Sequence, residues 1–175
     1  MKAKQNLNFK IGETVVYPKH GVGEIVNIEP MEISSIKINF YVVKMEQAKL
    51  TILVPLDKQD EVCIIKISTK KIIDEIYEIL KLKPKVRRIM WSRRAQEYDQ
   101  KINSGKLYEL AEVVRDLNKK TDIIAEQSYS ERQLFEKAYN RLKSELEVVL
   151  GEKAQQKMDK ALKFKENSLQ KETLL

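Results

Sequence analysis

Hydrophobic periodicity switches once along this chain, near Ser68, and the switch limits the folds it can adopt. Before it, apolar residues come in short runs or alternate. Ile36, Ile38, Phe40 and Val42 share one side of a strand, while Lys37, Asn39, Tyr41 and Val43 share the other. After it, Ile72, Ile73, Ile76, Tyr77, Ile79 and Leu80 follow helical spacing. A chain of 175 residues with strands first and helices second is α+β in class. Its expected domains are residues 1–67 and 68–167, with a frayed end over 168–175.

Strands are expected over residues 14–17, 21–28, 36–43, 50–54 and 62–67. Pro18 opens a turn, Pro30 interrupts the second strand and Pro55 stops the fourth. Short strands with close turn signals suggest a small, strongly bent sheet or barrel. About 60 residues make a marginal core alone, so docking to a partner or to the second part of the chain would help. Gly21-Val22-Gly23 lacks the third glycine and following helix of a dinucleotide fingerprint and reads as a turn. His20 is a turn histidine by the same argument. Cys63 is the sole cysteine; its apolar run marks it as a buried strand thiol, and no internal disulfide can form.

The helical half begins with Ser68 or Thr69 as N-cap, and Pro84 breaks its first helix. A second helix starts somewhere over 86–91 and runs to Ser104, with Gly105 as its C′ residue. A third covers 107–120, and 119–127 is a polar connector. Ser128-Tyr129-Ser130-Glu131 spells a capping box. The fourth helix carries Leu134, Phe135, Ala138, Leu142, Leu146 and Val149, and Gly151 punctuates it. Ala154, Met158, Ala161 and Leu162 suggest a short final helix, after which residues 165–175 are polar and expected to fray.

Charge divides as sharply as periodicity. The formal net charge is +7; residues 1–67 contribute +1 and residues 68–175 contribute +6. The basic excess peaks in residues 83–94, KPKVRRIMWSRR, with six basic residues, no acid and the only tryptophan. Clustered positive charge attracts phosphates, and a flat side chain beside it can stack on bases. Arg87, Arg88, Arg93 and Arg94 are the candidate phosphate contacts. Trp91 has two readings. It begins a stripe with Ala95, Tyr98 and Ile102, which makes it core. A helix that starts near Trp91 would instead leave the ring on an exposed first turn.

No metal motif, P-loop or nucleophile elbow occurs, and the carboxylates lie among lysines on helix faces. The expectation is a non-enzyme without metal or cofactor. The first ten residues lack the apolar core of a signal peptide, and no apolar run approaches a membrane span, so a cytoplasmic setting is expected. A nucleic-acid binder fits; a basic RNA- or ribosome-binding module, or a pure protein-interaction adaptor, fits the same features.

Residues 9–23, FKIGETVVYPKHGVG, resemble the opening of the CarD family of bacterial transcription regulators. Its first domain is shared with the transcription-repair coupling factor. Trp91-Ser92-Arg93-Arg94, residues 111–117 (AEVVRDL) and residues 128–134 (SYSERQL) resemble the family's helical domain in the same order. The resemblance covers roughly residues 8–150. It implies a Tudor-like domain that binds the β subunit of RNA polymerase and a helical domain that contacts promoter DNA at the upstream edge of the transcription bubble. It also implies that Trp91 acts there as a wedge that stabilises the open complex, with Arg93 and Arg132 as basic contacts. Gln96 stands where some members have a basic residue. Met31 and Leu53 stand where some have arginines that grip polymerase. With those polar contacts missing, the segment containing Ile52, Leu53 and Val54 is expected to bind polymerase by strand pairing.

Overall fold

In the computed structural model, residues 9–46, 48–56, 64–118 and 128–172 are described, with side chains up to Lys163. Cys63 and the connector 119–127 lie outside the described residues. The chain divides into two units, residues 1–67 and 68–175.

The first unit is a five-stranded antiparallel sheet in the order β4-β3-β2-β1-β5. The strands are β1 (Thr14–Tyr17), β2 (Gly21–Ile33), β3 (Ile36–Met45), β4 (Leu50–Pro55) and β5 (Ile65–Lys66). Its core contains Phe9, Val15, Ile25, Tyr41, Val43, Met45, Val54, Leu56 and Ile64. Of the two β3 faces, the one with Tyr41 and Val43 points into this core. The ring of Phe9 meets that of Tyr41 edge-on, and the Phe9 N–H donates to the Tyr41 hydroxyl at 3.4 Å. Val26 is an extra residue between the Ile25–Val43 and Asn27–Val42 pairs, a bulge that bends β2.

Two sequence expectations change here. Strand β2 runs through Pro30 to Ile33. Its pairing with β1 runs from Gly21 to Glu24 and goes no further, so Pro30 has β3 on one flank and no neighbouring strand on the other among the described residues. A proline is tolerated at such an edge. The Gly21-Val22-Gly23 triplet belongs to β2, and the turn occupies the three residues before it, closed by His20 N–H donating to the Tyr17 carbonyl at 3.0 Å. Gly23 serves close approach: a Cβ there would stand 2.9 Å from the Lys44 carbonyl oxygen and closer still to the Met45 sulfur. Ser34 and Ser35 both have positive φ, as a two-residue hairpin turn requires.

The second unit is helical: α1 (Lys70–Lys81), α2 (Trp91–Asn103), α3 (Leu107–Leu117), α4 (Tyr129–Leu150) and α5 (Lys153–Glu172). Thr69 is the N-cap of α1, although its hydroxyl makes no capping bond. Gly105 follows α2 at φ 77°, the left-handed conformation of a C′ glycine. Helix α3 packs on α1, α2 and α4, and α5 packs on α1 and α4. The core joins Ile73, Ile76 and Leu80 to Tyr98, Ile102, Val114, Leu142, Leu146 and Met158. Helix α5 is longer than expected. The lysines, glutamates and glutamines beyond Leu162 are good helix formers.

Candidate nucleic-acid interface

The basic segment is an anchored crossing between two helices. Helix α1 stops at Lys81 and Leu82 is extended, two residues before Pro84. Buried Asp116, on α3, accepts the Lys85 N–H at 2.9 Å. Asp116 also accepts from Arg115 Nε at 2.7 Å, so its charge is compensated where water is excluded. The contact ties the segment that carries Arg87 and Arg88 to the helical core.

Helix α2 begins at Trp91, with Met90 as N-cap. The Met90 carbonyl accepts the N–H groups of Arg93 and Arg94. Along the stripe burial is graded: Ile102 is 1% exposed, Tyr98 is buried, and Ala95 and Trp91 are half-buried. Both readings of the tryptophan therefore hold in part. One side of the ring packs on the helical core, and the rest meets solvent at the helix start.

Three side chains hold the ring. Tyr98 lies 6.5 Å away between centroids, tilted by 49°. Burial, followed by the charge of Asp116, raises the Tyr98 pKa, so this seat is neutral at ordinary pH. The Arg94 guanidinium lies over the indole, 5.4 Å from its centroid, and Arg94 Nη2 pairs with Glu131 at 3.6 Å. The indole N–H donates to Ser130 Oγ at 2.9 Å.

The structure sorts the candidate arginines. Arg88, Arg93 and Arg132 are exposed and make no ion pair among the described residues. Arg87 is exposed and pairs with Glu97 at 3.2 Å, a surface contact worth ~1 kcal/mol or less that a phosphate can displace. Arg94 is turned inward, against Trp91 and Glu131. Met90 and Tyr129, each 74% exposed, flank the site along the chain.

The candidate polymerase-binding residues occupy the sheet unit. Among the described residues, strand β4 is an edge, paired only with β3. Met31 (39% exposed) and Leu53 (43% exposed) lie on the sheet face opposite the core, since Met31 pairs with Ile38 and Leu53 with Val42. Exposed Ile33 and Ile36 extend that apolar face. Ile52 is half-buried and Val54 is fully buried, main chain included, so Val54 presents no surface of its own to a partner.

Sequence reasoning missed Ser130 and Asp116. Ser130 is the silent middle of the capping box, and Asp116 stands inside a family-like stretch without a role of its own. Among the described residues, no cluster of His, Cys, Asp or Glu could hold a metal ion, and no helix is long and apolar enough to cross a membrane.

The family model for the CarD C-terminal domain matches residues 75–163, and that for the CarD-like/TRCF RID domain matches residues 9–84. Over 143 residues the chain is 34% identical to the putative transcription factor YdeB of Bacillus subtilis (strain 168), covering 82% of this chain and 93% of that protein. The solved structure of CdnLNt from Myxococcus xanthus is 32% identical, covering 37% of this chain and 92% of its own, with a TM-score of 0.32. A small antiparallel sheet followed by a helical unit with these matches defines a transcription regulator. The chain belongs to the CarD family.

Proposed function

We propose that the sheet unit binds RNA polymerase through its β subunit, and that the helical unit sets Trp91 against promoter DNA at the upstream edge of the bubble. The observation that carries this reading is the half-buried Trp91 ring at the start of α2, with exposed Arg87, Arg88, Arg93 and Arg132 on the segments around it. A ring backed by packed side chains can press on a base step without losing its own orientation, while flexible exposed guanidiniums neutralise phosphates. Arg94 stabilises the ring in this scheme and leaves phosphate contact to the others. A ring that blocks reannealing prolongs the open complex with no chemistry of its own.

Polymerase contact rests on the β4 edge and on the apolar face containing Met31 and Leu53. Strand addition draws affinity from main-chain hydrogen bonds, which tolerate the absence of arginines at these positions. Joining the two contacts in one chain raises the effective concentration of a weak DNA site beside the promoter.

The test is a footprint of the polymerase–promoter complex with and without the protein. Extended protection and persistent strand opening at the upstream bubble edge are expected. Unchanged opening, with the protein demonstrably bound to polymerase, would contradict the reading.

A further inference from the structure

Two of the side chains that hold the Trp91 ring, Arg94 and Tyr98, belong to α2 itself. The third, which holds the indole N–H, comes from another helix. The indole N–H reaches across to Ser130 Oγ at 2.9 Å, 39 residues away in sequence. Ser130 Oγ shares a hydrogen bond with Ser128 Oγ at 3.1 Å. Ser128 Oγ in turn accepts the Glu131 N–H at 3.3 Å, and the Glu131 carboxylate accepts the Ser128 N–H at 3.4 Å. The other carboxylate oxygen of Glu131 pairs with Arg94, which covers the ring. The start of α4 is thus both a capped helix end and a mount for the tryptophan.

We propose that Ser130 is a positioning residue for Trp91: its hydroxyl holds the indole N–H and fixes the angle at which the ring meets DNA. The functional part rests on the wedge reading above; the contact itself does not. Ser130 is not the N-cap, which is Ser128, so its hydroxyl can be removed without removing the cap.

Trp91 is the only tryptophan, so fluorescence excited selectively at tryptophan, away from tyrosine absorption, reports one ring. The experiment compares wild type with Ser130→Ala, Ser130→Thr and Trp91→Ala, using acrylamide quenching and anisotropy for the free protein and open-complex lifetime on polymerase. Ser130→Ala is expected to raise quenching and lower anisotropy at unchanged circular dichroism. It should also shorten the open complex about two- to tenfold, the factor one neutral hydrogen bond carries. Ser130→Thr keeps the hydroxyl and should restore both readouts.

Wild-type quenching and anisotropy in Ser130→Ala would overturn the proposal whatever the lifetime does. Altered fluorescence with an unchanged lifetime, while Trp91→Ala shortens it, would overturn the positioning role. If Trp91→Ala itself has no effect on lifetime, the wedge reading fails, and the fluorescence arm still decides whether Ser130 holds the ring.

Discussion

Trp91 and Glu145 show how far a single side chain's behaviour depends on what surrounds it. Burial pushes the Glu145 carboxyl up to about 7, against the pull of the Arg141 guanidinium 3.8 Å away. The folded chain therefore binds a proton that the unfolded chain, with an ordinary carboxyl near 4.5, has already lost. Stability from this group falls as pH rises from about 4.5 to about 7 and is level above that range. Urea midpoints at pH 5 and pH 8 should therefore differ less in Glu145→Gln than in wild type; an equal difference would show that Glu145 contributes nothing to the slope. No residue pattern announces this carboxyl, because its charge pattern is that of any helix. Trp91 was half-legible for the opposite reason. The stripe to Ile102 could be read from spacing, but where α2 starts, and what reaches the ring from α4, are tertiary facts.

At the scale of elements, strand β4 is the informative case. Leu50 to Val54 reads as a short apolar strand, and the sheet order makes β4 an edge. Proline at Ile52 removes a donor and stiffens the edge, so binding to the polymerase β subunit should fall while circular dichroism keeps the sheet signal. Leu53→Asp, at an exposed position on the outer face, should weaken the same binding without touching the core. Undiminished binding in both variants would remove β4 and its outer face from the interface. The capping box was fully legible, since both of its bonds lie within four residues. The length of β2 was not: Pro30 breaks a central strand but is tolerated where β1 has ended, and strand order is not written in local sequence.

For the whole molecule, the division into a nearly neutral sheet unit and a basic helical unit predicts two contacts with different salt responses. DNA contact through Arg87, Arg88, Arg93 and Arg132 releases counterions and should weaken steeply as salt rises. Polymerase contact through an apolar face and a strand edge should change little over the same range. Titrating salt against β-subunit binding and against forked-DNA binding separates the two, and parallel slopes would contradict the assignment. The most direct measurement of the central claim is the lifetime of a competitor-challenged open complex with wild-type protein and with Trp91→Ala. The account predicts that wild type lengthens the lifetime, and that Trp91→Ala binds polymerase equally well yet loses the effect. A folded, polymerase-bound Trp91→Ala variant that stabilises the open complex as well as wild type would contradict it.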